Sequence, residues 1–160
     1  MRKPKVSVYT NPWLHKGQSF DTENVPEWAV GFVYLITNKV TGKRYIGRKI
    51  LQSAKKTAVG GKIKRFKVDS DWKKYYGSSA EIKEDVIKTG KENFERSILH
   101  LCRSKSEMAY LEAKEIFESD CLIRDDYYNS WVTCRINGRN LKPLSDDWKS
   151  LNASERSPDQ

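Results

Sequence analysis

The sequence predicts a small α+β domain with a largely antiparallel sheet, because its segments follow the order hairpin, insert, helix, strand, helix, loop. Three observations carry that order. A β-prone run, "FVYLIT" at Phe32 to Thr37, passes through the polar turn Asn38-Lys39-Val40-Thr41-Gly42 into "KRYIG". Two later segments open on Ser-x-x-Glu and continue with apolar residues. Between them lies a run of strand length and composition.

Taken in order, residues 1–30 mix Pro, Asn, Gly, Asp and single aromatics without a sustained period. They read as an irregular, peripheral arm able to lay Trp13, Phe20 or Trp28 onto the body. The hairpin follows. Residues 50–74 form a lysine-rich insert with the flexible pair Gly60-Gly61 and few apolar residues, expected as a mobile loop or a short ribbon. In "GSSAEIKEDVIKTG", Ser78 and Glu81 have capping-box spacing, Ile82, Val86 and Ile87 make an apolar stripe, and Gly90 stands at the C′ position. Asn93 to Cys102, "NFERSILHLC", is the third strand. Ser104 and Glu107 repeat the capping-box spacing ahead of a second helix, Met108 to Phe117. The chain then leaves the helix through acidic and polar residues and reaches Tyr127-Tyr128-Asn129. A length of 160 residues suits one core, so residues 31–130 are read as one domain and 131–160 as a C-terminal extension or tail.

Composition narrows the function. The net charge is +9, and the basic residues cluster at Lys43-Arg44, Arg48-Lys49, Lys55-Lys56, Lys62, Lys64, Arg65, Lys67 and Lys73-Lys74. A polyanion is the natural partner of such a surface, since neutralising phosphates releases counterions; a merely solubilising surface is the plain alternative. No apolar run approaches the roughly 18 residues that span a bilayer, and the N-terminal stretch has no apolar core of a signal peptide, so a soluble, intracellular, cytoplasmic protein with no membrane partner is expected. Cys102, Cys121 and Cys134 have no paired spacing, which suggests neither a disulfide framework nor a zinc site, and His15 and His100 are equally unsupported as ligands. There is no phosphate-cradling Gly motif and no Gly-x-Ser-x-Gly elbow.

Glu112 stands out on helix geometry. At about 100° per residue it lies about 40° from both Met108 and Ile116, on the apolar face. An ionised carboxylate there costs several kcal/mol unless a divalent cation or a basic side chain pairs with it. The alternative is a glutamate at the margin of the stripe that snorkels to water. Glu115, about 60° away, makes a weaker version of the same claim. Tyr34 and Tyr45 fall on opposite arms of the hairpin, where cross-strand neighbours share a face, although two strand tyrosines are most often packing residues.

The motifs taken together resemble those of the GIY-YIG nucleases. The resemblance lies in "FVYLITN" followed by "YIG" at Tyr45-Ile46-Gly47, then "WKKYYGSS", "KTGKENFERSIL", "YLEAKEIF" and "YYN", in order across about residues 31–130. The fuller pattern is similar to phage-encoded or mobile-element members of the homing or restriction-like kind. One departure is visible: the first triplet reads Phe32-Val33-Tyr34, with glycine one place further back at Gly31.

What the resemblance implies is a three-stranded antiparallel sheet flanked by helices, and a phosphodiesterase using one Mg2+ or Mn2+ per active site, with no small-molecule cofactor. Tyr34 matches the general base for the attacking water and Tyr45 its partner. Glu112 matches the metal-binding glutamate, and Asn129 the asparagine that helps to hold the site together. Arg48 is favoured as the family's catalytic arginine, with Lys49, Lys55, Lys56 and Arg65 as alternatives, and Tyr75 or Tyr76 stands at a position that is often His. A phenol with a pKa of roughly 10 needs a metal or nearby cations to act as a base at neutral pH.

The expected protein is a metal-dependent DNA endonuclease acting on double-stranded DNA, with Lys49, Lys55, Lys56, Lys62, Lys64, Arg65, Lys73 and Lys74 as phosphate contacts. The alternatives are a non-catalytic nucleic-acid-binding module on the same fold and a structural or partner-binding protein.

Overall fold

The two runs that flank Gly42 are long and β-branched enough to pair, and in the computed structural model, which describes residues 11–141, they build the middle of a sheet. In chain order the elements are β1 (Trp13–His15), β2 (Gln18–Phe20), β3 (Gly31–Asn38), β4 (Arg44–Ile50), β5 (Gln52–Val59), β6 (Lys62–Asp69), α1 (Ala80–Thr89), β7 (Phe94–Cys102) and α2 (Lys105–Glu118). The β3–β4 turn is held by the buried Asn38, whose Oδ1 accepts from the N–H groups of Val40 and Thr41 at 3.0 and 3.3 Å. Its Nδ2 donates to the Tyr128 hydroxyl at 3.0 Å.

The α+β class stands, but the sheet differs from the three antiparallel strands expected. It has five strands in the order β2-β1-β7-β3-β4, and β1 runs parallel to β7. The extra pair comes from the segment read as an irregular arm. Strands of three residues are too short to show a period. What anchors them is Trp13, fully buried, with its indole N–H donating to the Trp72 carbonyl at 2.7 Å and its ring 5.0 Å from Phe32. Lys16 and Gly17, at φ +53° and +75°, supply the left-handed pair that a two-residue β1–β2 turn requires.

Alternation along β3 sends Phe32, Tyr34 and Ile36 to one face, and Val33 and Leu35 to the other. The first face packs under Ile82 and Val86 of α1 with Trp13, Phe20, Trp72 and Phe94. The second packs under Met108, Leu111 and Ile116 of α2. Ile87 does not join the α1 stripe and is 84% exposed, because at about 100° per residue it sits well off the line through Ile82 and Val86. Gly31 has a packing reason: a Cβ there would lie 2.2 Å from the Met108 sulfur and 2.6 Å from the Lys49 carbonyl oxygen.

The capping residue of α1 also differs. Ser79, not Ser78, is the N-cap, and it makes no side-chain cap, while Glu81 pairs with Lys43. At α2 half of the expected box forms: Ser104 Oγ accepts from the Glu107 N–H at 3.1 Å, while the Glu107 carboxylate accepts from Arg103 instead of the Ser104 N–H. The insert is a ribbon, β5 paired antiparallel to β6 through eight residue pairs and joined to no strand of the main sheet. It returns to the core at the buried Trp72. Of the extension or tail expected over residues 131–160, residues 142–160 lie outside the described residues.

Candidate active site

β4 is the last strand of the sheet, and its outer edge would be bare without the segment after α2. Residues 126–129 run along it in parallel: the Arg44 N–H donates to the Asp126 carbonyl at 2.9 Å, and the Tyr128 N–H to the Arg44 carbonyl at 2.7 Å. Asn129 ends this lacing with its side chain. Its Oδ1 accepts from the Ile46 N–H at 2.9 Å and its Nδ2 donates to the Ile46 carbonyl at 2.8 Å. The amide thus stands in for a backbone peptide and fixes β4 between Tyr45 and Gly47.

Tyr34 reaches this edge from inside. It is the cross-strand partner of Gly47, and a Cβ on Gly47 would lie 2.3 Å from the Tyr34 hydroxyl oxygen. Glycine is therefore what lets the phenol lie across β4. A register shift opposite the Val33/Tyr34 step, which skips Leu99 of β7, sits at the same place, where bulges re-aim side chains. The Tyr34 ring is fully buried, and its hydroxyl makes no hydrogen bond of normal geometry; the Tyr75 phenol is close enough to act on it electrostatically. Burial, then the neighbouring Tyr75 and Tyr45 phenols, hold its pKa well above the ordinary phenol value. Gly47→Ala should displace the ring, lower stability by about 1–3 kcal/mol and change the near-ultraviolet circular dichroism of the tyrosines. An unperturbed spectrum and melting temperature would remove this account of Gly47.

Tyr45 is half-buried beside it, with ring centroids 6.1 Å apart, and shares a hydrogen bond of 2.7 Å with the Ser78 hydroxyl. That bond explains the missing capping box: Ser78 is engaged by the site rather than by α1. Burial raises the Tyr45 pKa, and the Ser78 bond opposes the shift.

From the other face of the sheet come Arg48 and Glu112. Arg48 Nε lies 3.2 Å from Glu112 Oε2, with the two side chains 38% and 21% exposed. Burial is the larger influence on Glu112 and raises its pKa, and Arg48 partly offsets it. Both outcomes expected for Glu112 meet here, since it sits at the margin of the apolar stripe and is paired with a basic side chain. Tyr34, Tyr45, Arg48, Glu112 and Asn129 all line one cleft of about 650 Å³, with Ser78 and Ser79 at the α1 end. Glu115 points elsewhere, with Oε1 2.6 Å from His100 Nε2. Among the described residues, no three His, Cys, Asp or Glu side chains gather as a cation cage.

The basic candidates divide. Lys49 Nζ lies 2.6 Å from Asp71 Oδ1 and sits 3.8 Å from the Tyr75 ring centroid, and Lys73 Nζ lies 2.6 Å from Asp21 Oδ1, so both are partly committed to structure. Lys74 is exposed beside them. Lys55, Lys56, Lys62, Lys64 and Arg65 are all on the ribbon, apart from the cleft-lining residues. Sequence reasoning missed Arg96, buried between Trp13 and Tyr76, which donates to the carbonyls of Lys73 and Tyr75 at 2.9 and 2.8 Å and so fixes the loop that brings Tyr75 to Tyr34. Its only signal was a charged residue at an inward position of a strand.

The chain is similar in sequence to phage proteins. The family described as "Putative endonuclease segE, GIY-YIG domain" matches residues 13–132, which takes in β1 and the segment that laces β4. "Putative endonuclease segE" of Enterobacteria phage T4 is 32% identical over 98 residues, covering 61% of this chain and 39% of that protein. The chain thus spans well under half the length of that relative. No solved structure matches. With a family match over three quarters of its residues, and the motif tyrosines, glutamate and asparagine on one cleft, the chain belongs to the phage-type GIY-YIG nuclease family.

Proposed function

We propose that this chain is a metal-dependent endonuclease that hydrolyses phosphodiester bonds of double-stranded DNA. The observation that carries the reading is the convergence of Tyr34, Tyr45, Arg48, Glu112 and Asn129, from both faces of the sheet and from beyond α2, on one cleft. The donor set fits Mg2+ or Mn2+ better than zinc. Magnesium keeps most of its waters and takes one or two carboxylates plus substrate phosphate, whereas zinc wants three or four N and S ligands. Glu112 would hold the ion; Glu81, the other carboxylate on the wall, is held by Lys43.

A divalent cation bound there would neutralise charge on the phosphate oxygens and favour deprotonation of water. The chain's own groups do the rest. Arg48 Nε, beside Glu112, would meet phosphate oxygens if that carboxylate held an ion. Tyr34, as the phenolate, accepts one proton of the attacking water as the new P–O bond forms, and the leaving oxygen departs from phosphorus and takes a proton from solvent water. Its raised pKa means that the phenol is neutral by itself, so the phenolate depends on positive charge in the cleft. Tyr45, tethered to Ser78, keeps the two phenols in fixed relation. Asn129 positions β4 through its two bonds to Ile46.

Supercoiled plasmid incubated with the protein and magnesium should become nicked or linear, and excess chelator should stop the reaction. Binding without nicking under any divalent ion would favour the non-catalytic module instead. A homing or restriction-like role is part of the proposal.

A further inference from the structure

The cleft makes no use of the β5–β6 ribbon. Its strands cross to each other through the Gly60-Gly61 turn, with φ of +58° and +73°, the left-handed pair whose twist suits a tight hairpin. Nothing lies within 4 Å of where a Cβ would stand on either glycine, so the tip is uncrowded. Every residue from 54 to 67 is exposed, including Val59, Ile63 and Phe66. A two-stranded hairpin with no buried face is marginal in water, so a ribbon of this length and regularity calls for an occupant. Residues 52–69 carry six basic side chains, Lys55, Lys56, Lys62, Lys64, Arg65 and Lys67, against the single acid Asp69, and none of the six forms an ion pair with a described residue.

The register says what kind of polyanion fits. Lys56, Ile63 and Arg65 share one face, with Arg65 directly opposite Lys56; Lys55, Lys62, Lys64 and Phe66 share the other. A flat anionic surface would use one basic face and leave the second idle. A groove uses both, with one face against the base edges and the long side chains of the other reaching the phosphates that rim it. The major groove of B-form DNA, about 12 Å wide, admits a two-stranded ribbon, whereas that of duplex RNA is too deep and narrow.

We propose that the ribbon lies in the major groove of duplex DNA and reads sequence beside the cut. Arg65 is the base reader, donating to a guanine edge, with Ile63 against a thymine methyl, while Lys55 and Lys64 hold phosphates. Only three residues separate Arg48 from the start of β5. Eight residues at ~3.3 Å each reach about 26 Å, or roughly eight base steps. The bases read therefore lie within about eight base pairs of the cleavage position, on one side.

This rests on the endonuclease reading, so its test works with or without cleavage. The full chain is used to select duplexes from a random library in the absence of metal, and its cut positions are mapped separately with magnesium. Wild type should enrich a short motif, and Arg65→Ala should lose roughly ten- to hundredfold discrimination at one position of it. Lys55→Ala/Lys64→Ala should weaken all sequences equally and lower the slope of log affinity against log salt by about 2. Circular dichroism on each variant separates loss of the ribbon from loss of the reader. No enrichment by wild type, a motif unchanged in Arg65→Ala, or tighter binding to duplex RNA overturns the proposal. Enrichment without any cutting leaves the ribbon's role standing and overturns the nuclease reading alone.

Discussion

Glu112→Gln is expected to abolish magnesium- or manganese-dependent cleavage while metal-free DNA binding stays the same or tightens. The substitution keeps the volume and the packing beside Met108 and Ile116 but removes the charge that would hold the ion. It also releases Arg48, now 3.2 Å away, to the DNA. Stability should change little. The pair is partly exposed, so its loss costs about 0–1 kcal/mol, far less than breaking a fully buried pair.

The pH dependence carries a sign. Burial raises the Glu112 pKa above its value in the unfolded chain. A raised carboxylate contributes stability that is fully present below the unfolded value of about 4.5 and is lost as pH rises through the folded pKa. At neutral pH the ionised carboxylate therefore supports folding no better than glutamine does. Acidification toward the unfolded value should therefore favour the wild type over Glu112→Gln, as thermal melts of the two at a series of pH values would show. Cleavage should fall off on the acid side at a higher pH than an ordinary glutamate would give, because only the ionised form holds a cation. A variant that melts well below wild type at pH 7 yet still cleaves in its folded fraction would make Glu112 a structural residue.

Tyr34→Phe should cut the cleavage rate by about 10² or more, the usual scale for a lost general base, and should not lower the melting temperature. The two effects have opposite signs for a physical reason. The hydroxyl is buried against Gly47 without a well-formed hydrogen bond, and an unsatisfied buried polar group costs about 1–3 kcal/mol, which phenylalanine avoids. The ring contacts with Trp13, Phe32 and Tyr75 remain. A variant that is more stable and fully active would make Tyr34 a packing residue and move the base elsewhere.

What the sequence made legible is what is local. The β3–β4 hairpin, β7 and both helices each announce themselves within about a dozen residues, through a turn glycine, a capping serine or an apolar stripe. The sheet's outer strands do not. β1 and β2 are three residues each, and what fixes them is a tryptophan reaching Trp72, 59 positions away. The lacing of β4 by residues 126–129 depends likewise on contacts more than 80 positions apart, invisible to any local pattern. The site divides in the same way. Glu112 could be singled out by helix geometry, whereas the roles of Gly47, Ser78 and Arg96 depend on side chains from distant strands and loops. Ser78 shows how a correct local signal is overridden, since its hydroxyl finds Tyr45 before it finds the helix.

The most direct test of the account is a single plasmid-nicking time course with magnesium. Wild type, Tyr34→Phe and Glu112→Gln are run side by side, with melting recorded on the same preparations. The account predicts relaxation by wild type, a rate at least about 10² lower in Tyr34→Phe and none in Glu112→Gln, with both variants melting close to or above wild type. Nicking by both variants at the wild-type rate would contradict it, because the cleft would then not be where the bond is cut.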